Sequence, residues 1–200
     1  MTETRQAGAR LACLAAFRYE DAVEMERRTM GDDPAMRRGA AQVHAANLGR
    51  SDTRQVCQER LLILMHDTDE QVRAQVGECF RHVQPESLQD LRAFIETFLD
   101  SPAAVAGAEH LIAFIASVAF DEPELALHVT KRILDRTGAQ VVDIRTSWAI
   151  LERDLARIPL AVHTHTTKPS LKSQSMDLFE RFLLMGSREA NRVLEDWDRR

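Results

Sequence analysis

Seven histidines, three cysteines and a scatter of carboxylates are the residues of this chain able to hold a metal or move a proton, and their spacing decides whether they do. His163 and His165 are the tightest histidine pair. Residues two apart share one side of a strand but diverge on a helix, so joint ligation requires extended backbone and a third ligand. No cysteine or acidic residue lies between 158 and 176 to supply one. The pair therefore reads as solvated or loosely packed. No Cys-x-x-Cys and no His-Glu-x-x-His occurs. Glu109-His110 and His66-Asp67 are sequence neighbours, and neighbours on a helix point apart, so neither is a ready acid–base dyad. Glu20 and Glu24 have the i, i+4 spacing of a carboxylate-bridged metal helix. Such a site also needs Glu-x-x-His on facing helices, and Glu20, Asp21, Glu24 and Glu26 with Arg27 and Arg28 read better as a solvated mixed-charge face. No Gly-x-Ser-x-Gly elbow, Gly-x-Gly-x-x-Gly turn or phosphate loop is present, and the eight glycines do not cluster. The expectation is a protein that is not an enzyme, with no catalytic residue, no cofactor and no metal.

Composition narrows the partner. Net charge is −5; Lys and Arg number 13 in each half, against 17 and 14 Asp and Glu, so neither half is basic and nucleic acid is disfavoured. Cys13, Cys57 and Cys79 are far apart, odd in number and set in apolar surroundings, as expected of buried free thiols in a reducing compartment. No apolar run approaches the roughly 18–20 residues that cross a bilayer, and residues 1–10 lack the apolar core of a signal peptide. A cytoplasmic location with no membrane contact is expected.

The elements that must position any site are helices. Hairpin turns of the Asn-Gly or Asp-Gly kind are missing and β-branched residues seldom alternate. Pro34, Pro85, Pro102, Pro123, Pro159 and Pro169 mostly fall where a helix could start, and Asp33, Ser101 and Asp121 supply capping side chains. Apolar residues recur at helical spacing: Val72, Val76, Cys79, Phe80 and Val83; Val105, Ala108, Ile112, Ile115 and Ala119; Cys57, Leu61, Leu64 and Met65, the last set opened by Asp52 with Gln55 three residues on. Helices are expected over about 10–29, 34–48, 52–66, 69–83, 86–99, 102–119, 122–136, 140–156, 169–185 and 187–198. The β-branched stretch 157–168 reads as a loop or a poor helix. Trp148 is expected in the core and Trp197 as a cap on the last helix.

Elements of similar length with short breaks suggest a repeat. Asp33-Pro34-Ala35-Met36-Arg37 and Asp69-Glu70-Gln71-Val72-Arg73 share Asp-x-x-apolar-Arg at an offset of 36 residues. Val105 echoes Val72 33 residues on, and Leu171 lies 66 beyond Val105. In this pattern Asp33 and Asp69 cap the second helix of a pair, Met36 and Val72 turn inward, and Arg37 and Arg73 can reach an Asp of the neighbouring unit. Position 106 is Ala and position 172 Lys where Arg would recur, which limits any charge ladder to the first two units.

These residues, with the turn Asp67-Thr68-Asp69 between Leu61-Leu62-Leu64 and Val72-Arg73, resemble the HEAT-repeat family over about residues 20–83. The resemblance implies an all-α fold: a right-handed α-solenoid of antiparallel helix pairs, about five repeats, with residues 1–9 a flexible N-terminus and 10–200 a single helical-repeat domain. The end of the chain, with Asp177-Leu178-Phe179-Glu180-Arg181-Phe182-Leu183 and Leu194-Glu195-Asp196-Trp197-Asp198, resembles the C-terminal repeat region of large bacterial nucleotide-binding regulators.

The leading expectation is a scaffold that binds a protein or peptide partner on the concave wall made by the second helices. Alternatives are a sensor fragment of an NTPase-type regulator and, more remotely, a DNA-base repair enzyme on the same scaffold. The first expected helix is apolar for an outer repeat, with Leu11, Cys13, Leu14, Phe17 and Val23, so that end is expected to meet a partner, self-associate or continue into further repeats.

Overall fold

Capping chemistry sets the helix starts. Asp33 and Asp69 hold extended backbone, and each turns its carboxylate onto the N–H groups of the helix that follows. Asp33 accepts from Ala35 at 2.8 Å; Asp69 accepts from Gln71 and Val72 at 2.9 and 3.0 Å. Buried Ser101 accepts from the Ala103 N–H at 3.2 Å and donates its hydroxyl to the Phe98 carbonyl at 2.7 Å. The computed structural model describes residues 19, 20, 23, 33–137 and 147–198. Between 34 and 198 these form α1 (Pro34–Asn47), α2 (Arg54–Leu64), α3 (Glu70–Gly77), α4 (Leu88–Asp100), α5 (Ala103–Val118), α6 (Pro123–Thr137), α7 (Ser147–His165), α8 (Pro169–Leu184) and α9 (Arg188–Asp198). Single 3-10 turns cover Glu78–Arg81 and Pro85–Ser87, and no strand occurs among the described residues.

The chain divides at Leu111/Ile112 into two compact units. In the first, α1 packs on α2 and α3, and α2 packs on α3 and α4. The apolar stripes close the core. Cys57, Leu61, Leu64, Met65, Val72, Val76, Cys79, Phe80 and Val83 are all buried, and Phe80 meets Phe98 edge-on at 5.0 Å. Burying each large side chain contributes about 1.5–3 kcal/mol against the entropy of ordering it. In the second unit, α6 packs on α7 and α8, α7 on α8 and α9, and α8 on α9. Leu155, Ile158, Val162, Leu171, Leu178, Phe179 and Phe182 fill its interior. Helix α8 ends in a Schellman arrangement around Gly186 (φ 76°): Ser187 N–H donates to the Phe182 carbonyl at 3.0 Å and Gly186 N–H to Leu183 at 2.9 Å.

Three local expectations change. The stretch 157–168 is helical as far as His165, with Pro159 inside α7. Pro159 offers no N–H to the turn before it, but it is buried on the same helix as Leu155, Ile158 and Val162. Side chains tie down the last turn: Thr164 Oγ1 donates to Leu160 and Ala161 carbonyls at 3.1 and 3.0 Å, and His165 Nδ1 lies 3.0 Å from the Ala161 carbonyl. Asp52 does not cap α2, because Arg50 takes both its oxygens at 3.1 and 2.6 Å. The expected helix 69–83 tightens to 3-10 geometry after Gly77. Leu11, Cys13, Leu14 and Phe17 lie outside the described residues, as do the side chains of Trp148 and Trp197.

Gly77 of α3 faces Gly107 of α5 backbone to backbone. A Cβ on Gly77 would stand 2.3 Å from the Gly107 carbonyl oxygen, and one on Gly107 would stand 2.9 Å from the Gly77 Cα. Gly107 also leaves helical geometry (φ −132°, ψ 22°), so α5 kinks at the contact. Gly77→Ala is expected to lower unfolding stability by about 1–3 kcal/mol through this clash, despite the ~1 kcal/mol gain in helix propensity. Urea unfolding followed by circular dichroism measures it; a stabilised variant would show that the two backbones do not meet.

Candidate binding surface

Arg37, Asp69 and Arg73 come together around the turn at Asp67. Met36 and Val72 are buried beneath the two caps just described. Arg37 leaves α1 to clasp Asp67, with Nε to Oδ2 at 2.5 Å and Nη2 to Oδ1 at 3.0 Å. Arg73 turns back onto its own loop, donating to the Asp67 and Thr68 carbonyls at 2.7 and 3.0 Å. Asp67 Oδ1 also accepts from the Asp69 N–H at 2.8 Å. The carboxylate is 7% exposed and Arg37 18%. Burial pushes Asp67 up, but the hydrogen bonds from Arg37 and Asp69 and the charges of Arg37 and Arg73 outweigh it and hold the group below the usual carboxylate range.

This clasp ties α1 to the turn before α3, and a slot opens across α1, α3 and α5. It measures about 320 Å³. Ala74, Ala106 and Gly107 leave room for it, and Arg38, Gln71, Gln75, Glu78, Glu109 and His110 give it polar walls. Arg38 donates to the Gln71 side-chain carbonyl. Partial burial and the nearby Arg81 and His110 push His82, just beyond the slot, below its ordinary value, with Glu78 opposing. The sequence reading missed these walls. The available signal was a pair of mid-helix glycines, 77 and 107, since glycine inside a helix that keeps its stability marks a close approach.

The residues weighed for chemistry go elsewhere. His163 turns toward α8, its Nδ1 3.3 Å from Ser175 Oγ, while His165 packs against Phe120 with ring centroids 4.2 Å apart and planes tilted by 49°, so the two imidazoles part. Cys57 and Cys79 are buried free thiols. Tyr19 Oη sits 2.9 Å from His44 Nδ1 and 3.1 Å from Cys57 Sγ, with His44 and Cys57 fully covered. This trio satisfies polar groups within the core, and burial pushes the Cys57 thiol up against its hydrogen bonds, away from the reactive thiolate. Among the described residues no three His, Cys, Asp or Glu side chains gather as metal ligands, and no helix is long and apolar enough to cross a membrane.

Compared with protein-family models, with curated proteins and with solved structures, the chain matches none. The site geometry therefore carries the functional reading alone.

A carboxylate with a depressed folded-state value contributes stability above its unfolded value, near 3.9 for Asp, and that contribution fades as pH falls through the folded value. Asp67→Asn is expected to cost about 1.5–3 kcal/mol at neutral pH, the worth of hydrogen bonds to a charged group. The gap between wild type and variant should be full above about pH 5, begin to close near pH 4 and be lost only below the depressed folded value. Denaturant melts across pH test this; a gap independent of pH would show that the Arg37 clasp is not the source.

Proposed function

We propose that this chain is a non-enzymatic HEAT-like scaffold, a right-handed solenoid of about five helix pairs, that holds a segment of a protein partner against α1, α3 and α5, second helices that would form the concave wall of that solenoid. The observation that carries this reading is the polar slot across those three helices. Its walls offer the amides of Gln71 and Gln75, the carboxylates of Glu78 and Glu109 and the imidazole of His110, all on helix surfaces, with Ala and Gly beneath them. Amide side chains donate and accept at once, which suits the alternating N–H and C=O groups of an extended peptide. Rigid helices present them without the ordering cost that loops incur.

Packing between successive helices supports the solenoid reading. Helices α1 and α2 in the first unit, and α6 and α7 in the second, each contact the next helix and the next but one, as stacked pairs do. Asp-capped second helices at 33 and 69, with Arg37 bridging from one pair to the turn of the following pair, belong to the same scheme. The net charge of −5 favours protein over nucleic acid, and a cytoplasmic partner accords with the free thiols.

The test uses the full chain as bait beside two variants, Gln75→Glu and Glu109→Arg. A protein retained by wild type, reduced at least about tenfold by both variants and unchanged by a control in the second unit such as Glu180→Gln supports the slot. Retention of the same proteins by all four baits with equal yield would overturn it. Unaltered melting of each variant keeps folding out of the comparison.

A further inference from the structure

Helices α6 and α8 lie side by side and run in the same direction. Ion pairs join them at both ends: Lys168 with Glu124 at the N-terminal ends and Arg181 with Asp135 at the C-terminal ends, each at 2.7 Å. Between those ties is a groove of about 470 Å³, within the range of roughly 300–1,000 Å³ that small-molecule sites occupy. Leu127 and Leu178 form its floor and are 2% and 5% exposed. The walls carry His128 and Lys131 from α6, and Gln174 and Asp177 from α8.

The charges of this groove are unequally used. Glu124 and Arg181, at its ends, are neutralised by the ion pairs that join the two helices. Lys131 and Asp177 are exposed, line the same groove from facing helices, and are bonded neither to each other nor to any other described residue. One cation and one anion without counter-ions thus stand above an apolar floor. A simple anion would meet Lys131 but be opposed by Asp177; a simple cation would meet the reverse. A neutral apolar guest would leave both charges facing it unpaired.

We propose that the groove between α6 and α8 is a binding site for a free α-amino acid with an apolar side chain. The ligand carboxylate lies toward the Lys131 ammonium, its ammonium toward the Asp177 carboxylate, and its side chain over Leu127 and Leu178. Both unpaired charges are then answered by one small molecule, and the ligand's own apolar side chain leaves water against Leu127 and Leu178. Gln174, beside Asp177 on α8, provides a neutral donor and acceptor at the rim. The site is separate from the slot on α1, α3 and α5, and the proposal stands or falls independently of the scaffold reading.

The experiment is isothermal titration of the full-length chain with L-leucine, N-acetyl-L-leucine and L-leucinamide, with amide chemical shifts locating the response. L-Leucine is expected to bind and to shift the amides of Leu127 and Leu178. Each blocked analogue, having lost one charge, should bind about tenfold more weakly or worse. Lys131→Met should make L-leucine and L-leucinamide equivalent, and Asp177→Asn should do the same for L-leucine and N-acetyl-L-leucine. Both residues are exposed, and a thermal melt of each variant checks that the fold is kept. Three results overturn the proposal: no heat and no shift with L-leucine up to its solubility limit, equal binding of all three compounds to wild type, or unchanged discrimination in the two variants.

Discussion

The Asp67 carboxylate is the point on which the first unit turns. It meets the guanidinium of Arg37 from α1, the N–H of Asp69 in its own loop and the field of Arg73 from α3. A nearly covered carboxylate is costly unless its oxygens are satisfied, and here each has a donor. The consequence is positional. With Asp67 fixed, Asp69 is placed to cap α3, and α3 is held at the distance from α1 at which Arg38 reaches Gln71. The slot wall is thus set by a charge cluster that lies outside the slot.

A second, steric constraint acts from the other side. The α3–α5 approach is close because neither Gly77 nor Gly107 has a side chain. Close backbones usually leave no cleft, yet the kink at Gly107 and the small Ala74 and Ala106 leave space along the outer edge. The carboxylate cluster and the glycine contact therefore act on the two flanks of one helix. Their effects should be separable, since they share no partner.

How much of this was legible in the sequence depends on the range of the interaction. Local rules carried far. Asp33 and Asp69 cap because an extended Asp before a helix has few other uses, and the stripes from Cys57 to Val83 are buried because helical spacing puts them on one face. The β-branched stretch 157–168 misled, since local propensity argues for a loop or a poor helix there while the burial of Ile158 and Val162 and the bonds of Thr164 and His165 keep α7 helical to His165. Asp52 misled in the opposite sense: its oxygens, expected on the N–H groups of α2, are taken by Arg50, two residues away. The slot and the Lys131–Asp177 groove are assembled across helices from residues 28 to 72 positions apart. Periodicity is silent about such distances, and without a recognisable motif nothing in the chain names them in advance.

The Cys79 thiol, fully buried and held well above its ordinary value by that burial, has one further consequence. Sulfur is oxidised chiefly as thiolate, and access governs the first step to sulfenic acid. In the folded chain both conditions are denied, so peroxide and disulfide exchange reach this sulfur only through transient opening of its surroundings. Chemical ageing of the protein is thereby tied to its folding equilibrium, and any ligand that holds the native state closed also acts as an antioxidant for its own host.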